Sequence, residues 1–247
     1  LISQNPMTSL DPVYRVGEQI VEGMLLHLAI SKPEARRRAV DLMASLQIPN
    51  PERVYYQYPH QLSGGLKQRI VIAMGLCAGP RLLIADEPTT ALDVTVQAQI
   101  VALFKEATDQ RGIGLMLITH DLGVIARMAH DVAVMYAGQV VESGPVDDIF
   151  YRSSHPYTLG LRHAMPSNIE GRQKKLEPID GSPPDLFKPP KGCGYYARCP
   201  YAMRVCENQI PEEFTISEGH FARCWLQHAT APKVESELYQ IGHTENA

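Results

Sequence analysis

The 247-residue sequence has no apolar run near the roughly 18 residues that a helix needs to cross a membrane. Its longest, from Ile70 to Gly79, is short and mixed, which excludes a spanning helix. The first residues, Leu-Ile-Ser-Gln, show neither an initiator Met nor the pattern of a secretion signal, so the chain reads as a fragment of something longer. Charge of one sign is not in excess: 23 Lys and Arg against 27 Asp and Glu leave −4, which gives no global attraction to nucleic acid. There is no internal repeat and no heptad run. Cysteine is scarce, with five residues, and the C-x₂-C knuckle of a structural zinc site does not occur. Also missing is any Gly-x₄-Gly-Lys-Ser/Thr loop, the usual backbone cradle for nucleotide phosphates. What is present is ordinary for a globular chain with a real core: 45% hydrophobic and 20% charged residues, enough for one large domain or two modest ones.

The pattern changes along the chain. Residues 13–30 place Val16, Ile20, Met24 and Leu28 at i, i+4 spacing, and 33–46 repeat the pattern behind Ser-Lys-Pro, so two amphipathic helices are predicted. A polar, Pro-containing break follows, then a third helix from about Ser63. From Arg81 short apolar strands (82–86, 114–119, 131–136) alternate with helices (93–110, 121–129), which predicts a parallel sheet with crossover helices. A short strand after Gly138 and a helix from Pro156 to Ala164 lead into a Pro-rich linker at 166–192. Residues 229–247 are polar and expected to be disordered.

Two stretches carry chemistry. In RLLIADEPTTALD, from Arg81 to Asp93, an apolar strand runs into two adjacent carboxylates, Asp86 and Glu87. Such a pair can be a solvated loop start or a cap for the next helix. It can also divide the labour of nucleotide hydrolysis, the first acid orienting Mg²⁺ and its water and the second polarising the attacking water. In LSGGLKQR, Ser63 suits a helix N-cap, and Gly64 and Gly65 leave backbone N–H groups open to an anion such as a γ-phosphate. A plain capped helix would read the same way. His120, after the strand GLMLIT, emerges at the carboxyl end of a neighbouring strand, where α/β folds bind ligands.

Taken in order, Gln4, LSGG at 62–65, LLIADE at 82–87, ALD at 91–93 and TH at 119–120 resemble the ATP-binding subunit of an ABC transporter. By that resemblance Gln4 is the Q-loop glutamine and Ser63, Gly64 and Gly65 belong to the signature motif. Asp86 is then the Walker B aspartate, Glu87 the catalytic base, Asp93 part of the D-loop and His120 the switch histidine. QNPMTSLDP, YPHQLSGG, ADEPTTALDVTVQAQI, THDLGVIA, MYAGQVVESG and HPYTLGL are similar to the oligopeptide/dipeptide importers and their nickel-importing relatives. One small departure is Leu66, where many ABC proteins have Gln.

The resemblance implies an α/β P-loop NTPase core without its N-terminal strands and phosphate loop, a helical subdomain and a small Cys-rich extension. Residues 1–80 would hold the Q-loop, helical subdomain and signature, 81–165 the RecA-like core, and 166–247 the extension and flexible tail. It further implies ATP and Mg²⁺ as cofactors and head-to-tail pairing with a second ABC ATPase subunit, each signature closing on the partner's ATP. Two permease subunits, an extracytoplasmic peptide-binding protein acting indirectly, a place at the cytoplasmic face of the inner membrane and no nucleic-acid partner complete the expectation. Because the sequence begins at the Q-loop, it is read as N-terminally truncated and inactive by itself. A soluble ABC ATPase of DNA repair or translation, a non-catalytic remnant and nickel as substrate are the competing readings.

Cys193, Cys199, Cys206 and Cys224 crowd into 32 residues, separated by five, six and seventeen. That clustering predicts a metal site without naming the metal, since the intervals match neither zinc knuckles nor the compact ferredoxin run. Cys77 lies within the predicted helix after LSGG and reads as core packing. Some relatives carry an iron–sulfur cluster in the matching extension, so the resemblance implies a four-iron four-sulfur centre, with Zn²⁺ as the alternative.

Overall fold

Local sequence chemistry decides where the first helices begin. In the computed structural model, which describes residues 1–4, 9–89, 93–165 and 178–241, helix α1 spans Val16–His27 and buries Val16, Ile20, Val21 and Met24 along one stripe. It is shorter than the predicted 13–30 because Arg15 and Leu28 are extended. Helix α2, Lys32–Ser45, starts where the Ser31 side chain accepts the Glu34 N–H, with Pro33 in the first turn. The polar break holds a short helix α3, Pro51–Tyr55, entered through a left-handed Asn50. Helix α4, Gly64–Leu76, begins at Ser63 as predicted, the hydroxyl accepting the Leu66 N–H.

Arg69 of α4 is largely buried and donates to the Leu46 carbonyl at 2.7 Å, tying α4 to the end of α2. Gly17 faces the ring of Tyr55 so closely that an added Cβ would lie 2.1 Å from a ring carbon. Gly17→Ala should therefore destabilise the protein by about 1–3 kcal/mol, because overpacking a buried ring outweighs the gain in helix propensity of up to about 1 kcal/mol. Urea unfolding checks this; an unchanged midpoint would show that Tyr55 has room to move.

Strands β1 (Leu82–Asp86) and β2 (Gly114–Ile118) pair in parallel, in register from Leu82–Gly114 to Asp86–Ile118. Ile2 bridges to Ala85, also in parallel, through Ile2 N–H to the Ile84 carbonyl and Asp86 N–H to the Ile2 carbonyl. Helix α5, Val94–Arg111, connects the two strands, capped by Asp93 at its start and by left-handed Gly112 at its end.

The chain divides into two compact units, 1–121 and 122–247. In the second, α6 (Leu122–Met128) leads to β3 (Asp131–Tyr136) and β4 (Gln139–Pro145). Here the structure corrects the expectation of a parallel strand at 131–136. Ala137 and Gly138 both have positive φ, the geometry of a two-residue hairpin turn, and β3 pairs antiparallel with β4. After α7 (Val146–Tyr151), α8 (Pro156–His163) and α9 (Arg204–Asn208), the cysteine-rich segment adds β5 (Phe214–Ser217) and β6 (His220–Ala222). The sheet order is β3-β4-β6-β5, all antiparallel.

A buried polar pair fastens β6 to β4. His220 Nε2 lies 2.9 Å from Glu142 Oε1, with both side chains fully buried. The same carboxylate accepts the N–H groups of Ser154 and His155. The expected disorder beyond residue 229 is also corrected as far as 241. Gln227 donates to the Ser154 and Tyr239 carbonyls, Gln240 donates to those of Leu226 and Pro232, and Leu238 is buried. Polar composition misled here because two buried amides do the work of apolar side chains.

Candidate functional site

The parallel register sends the ends of three extended segments to one edge of the first unit. Ile2 hydrogen-bonds across β1, so Gln4 emerges beside the carboxyl end of that strand. Asp86 closes β1, and Glu87 follows in a left-handed conformation with φ 43°. A non-glycine residue there costs on the order of 1–3 kcal/mol and is found where surroundings over-determine it. They do so here: the Glu87 N–H donates to the Ile118 carbonyl at 2.8 Å. Its carboxylate accepts Gln4 Nε2 at 2.9 Å on one oxygen and faces His120 Nδ1 at 3.1 Å on the other. His120 is held in turn by its loop. The Asp121 N–H donates to the Thr119 hydroxyl, and Gln97 of α5 donates to the Asp121 carboxylate at 2.7 Å.

Three residues far apart in sequence thus meet around one carboxylate, and that cluster is open to solvent: the His120 side chain is 74% exposed and that of Glu87 26%. A carboxylate aimed by an amide and an imidazole, with a second carboxylate one residue earlier, can polarise water beside a cation-bound phosphate. Asp86, one residue earlier, adds a carboxylate of the kind that can ligate Mg²⁺.

Ser63, Gly64 and Gly65 sit at the N-terminus of α4 in the same unit. Gly65 packs closely on α5: an added Cβ would lie 3.1 Å from Val96, which would have to give by a few tenths of an ångström. Asp93 caps α5 by accepting the Val96 N–H at 2.9 Å. The remaining D-loop positions, 91 and 92, lie outside the described residues.

In the second unit Cys193, Cys199, Cys206 and Cys224 line one cavity, together with His155 and Tyr195. All four thiols are free. Cys193 N–H donates to the Cys206 carbonyl at 2.8 Å, and Cys206 Sγ accepts the Met203 N–H. Burial pushes the Cys193 and Cys224 thiols up and Cys199 up to about 12. Burial also drives the His155 imidazole down to about 3. The cavity is therefore hostile to bare thiolates. Among the described residues no three His, Cys, Asp or Glu side chains are disposed around a single ion.

Residues 1–90 match the family described as ABC transporter, and 141–206 match Oligopeptide/dipeptide transporter, C-terminal region. The chain is 52% identical over 235 residues to the oligopeptide transport ATP-binding protein OppD of Bacillus subtilis, covering 95% of this chain and 66% of that protein. It is 51% identical over 231 residues to the dipeptide transport ATP-binding protein DppD of the same organism, covering 94% and 69%. The chain belongs to the ATP-binding subunits of the oligopeptide/dipeptide ABC transporters. It spans about two thirds of the length of these relatives. Among solved structures, the bacterial ABC transporter cassette MJ0796 in its dimeric form aligns with a TM-score of 0.51 at 28% identity, covering 59% of this chain and 61% of that one. The cassette cbiO1 of Clostridium perfringens, part of the cbiONQ complex, aligns at 0.53 and 29%, covering 60% and 57%.

Within this peptide-transporter chain, the motif residues Gln4, Glu87 and His120 meet, whereas 63–65 occupy a separate helix start. Sequence reading missed the residues that hold these motifs and the module in place: Gln97 and Asp121 behind His120, Glu142 and His220 in the sheet, and His155 in the thiol cavity. His220 had a signal, since it is a titratable residue at an inward position of an alternating strand, whereas Glu142 sits beside the equally buried Val141 and had none of that kind.

Proposed function

We propose that this chain carries the hydrolytic machinery of a peptide-importer ATPase, coupling ATP binding and hydrolysis to uptake of di- or oligopeptides through partner permeases. The observation that carries the reading is the Glu87 carboxylate held between Gln4 and His120 beside Asp86. Glu87 takes a proton from attacking water while His120 and Gln4 keep its carboxylate aimed, and Asp86 would hold a Mg²⁺ that, when bound, would neutralise phosphate charge. The N-terminus of α4, with Ser63, Gly64 and Gly65, serves the nucleotide of a second ABC subunit, so the working unit is a dimer, with heterodimer pairing the reading adopted here. The assembly sits at the cytoplasmic face of the inner membrane with two permease subunits and an extracytoplasmic peptide-binding protein.

The helical section after Gln4 is the surface proposed to meet the permeases. Val13, Tyr14 and Leu26 are exposed there, at 72%, 57% and 77%. Cysteines introduced within 7–60 should cross-link to the permease with yields that change between ATP-bound and nucleotide-free states. Cross-links confined to 166–247 would contradict the assignment.

The four cysteines are read as ligands of one metal centre. Four thiols and no carboxylate on one cavity wall form a soft donor set, which fits iron–sulfur or zinc chemistry. A four-iron four-sulfur centre is the reading adopted.

A further inference from the structure

We infer that Gln97 is a positioning residue for hydrolysis: by holding the Asp121 carboxylate, it fixes the loop that aims His120 at Glu87. The inference rests on the reading of Glu87 and His120 as hydrolytic residues. The His120 side chain is 74% exposed, and among the described residues its hydrogen-bond partner is Glu87. With so little packed around it, the imidazole takes its direction chiefly from the backbone that carries it. That backbone is the short connection between β2, which ends at Ile118, and α6, which begins at Leu122. At its start the Ile118 carbonyl accepts the Glu87 N–H at 2.8 Å, which joins this connection to the loop after β1. At its end the Asp121 N–H donates to the Thr119 hydroxyl at 3.0 Å, closing a turn around His120. Gln97 Nε2 then reaches in from α5 and donates to Asp121 Oδ2 at 2.7 Å, across 24 residues of sequence.

Gln97 is itself held where it stands. It lies in the first turn of α5, where its N–H donates to the Asp93 carbonyl at 2.8 Å and the Asp93 side chain accepts the Val96 N–H. An amide donating to a carboxylate makes a charge-assisted bond, one of the stronger kind. This one is partly buried, so water competes with it less than at an open surface. Among the described residues the Gln97 side chain bonds to Asp121 and to neither Glu87 nor His120. Its influence on the reacting groups therefore passes through the loop. Without it the Thr119 turn remains, but the loop loses this tether to α5 and His120 can drift from Glu87. The chemical step should suffer, and nucleotide affinity should not.

The test uses the intact subunit in its assembled transporter, with ATP turnover measured against Mg·ATP concentration. Gln97→Leu removes the donor at similar size. It is expected to lower kcat about tenfold with KM unchanged, within the roughly 10²-fold that a 1 Å misplacement can cost. The decisive arm places the same substitution on His120→Ala, under single-turnover conditions that keep slow variants measurable. If Gln97 acts through His120, the double variant is no slower than His120→Ala. A Gln97→Leu protein with wild-type kcat overturns the inference. So does a raised KM at unchanged kcat, or a further tenfold loss on top of His120→Ala, which a merely structural role would give. Should Gln97→Leu fail to assemble, Gln97→Met, which keeps the length without a donor, is read by the same outcomes. Wild-type turnover in His120→Ala by itself overturns the hydrolytic reading of that histidine, a result distinct from the others.

Discussion

Glu87→Gln in the intact subunit is expected to lower ATP turnover by about 10²- to 10⁴-fold while leaving Mg·ATP binding in place. The substitution keeps the shape of the side chain, so one oxygen can still accept from Gln4 Nε2, now at 2.9 Å. It removes the negative charge and the basic oxygen facing His120, now at 3.1 Å. Backbone strain at φ 43° is unchanged, because both residues have the same Cβ and the Ile118 carbonyl still receives the amide. Loss of turnover then reports chemistry and not unfolding. With hydrolysis stopped and ATP retained, the dimer should accumulate closed and be visible by size-exclusion chromatography with ATP. Single-turnover assays alongside ATP-binding calorimetry separate the two steps. Turnover near wild type would remove Glu87 from the role of base.

The second large effect concerns the thiol cavity. On the proposal that the four cysteines hold one iron–sulfur centre, serine at any one of positions 193, 199, 206 or 224 is expected to remove the iron and the visible absorption that proposal requires, and to expose residues 178–241 to protease. The physical reason is the thinness of the local core. Leu159, Leu226 and Leu238 are the buried aliphatic side chains around Cys224, and the remaining contacts are partly buried. Cys193, Cys199 and Tyr195 pack on a second apolar cluster, so the loss is expected to be greatest around Cys224. Cys77→Ser is the control. That thiol donates to the Met74 carbonyl at 3.1 Å, which a serine hydroxyl can also do, and it lies in the other compact unit. Full iron content in all four serine variants, with unaltered proteolysis, would show that the cysteines only pack.

His120 also bears on how the site is built. It is positioned by Thr119 within its own loop and, through Asp121, by Gln97 one helix away. The two carboxylates, by contrast, follow directly from a strand that ends in Asp-Glu, and Pro88 stops the strand there. This difference explains why the motif residues could be named from sequence while their supports could not. A motif is a local arrangement of residue types, and its supports are chosen by whichever distant side chain the fold delivers.

The same division holds for the fold. Sequence alone determined the starts of α2 and α4, because Ser31 and Ser63 cap whichever helix follows them. It determined β1 to its end residues and Glu87 and His120 as candidates, because acids and a histidine at strand ends are short-range signals, while Gln4 was named only by resemblance to the family. Tertiary structure alone decided that 131–136 turns back on 139–145, since a strand's partner depends on the hairpin turn as well as on its own apolar pattern. It decided that the tail is packed as far as 241, through amide pairs whose sequence looks merely polar. It also decided that His155 faces four cysteines that begin 38 residues later, a meeting no local pattern encodes.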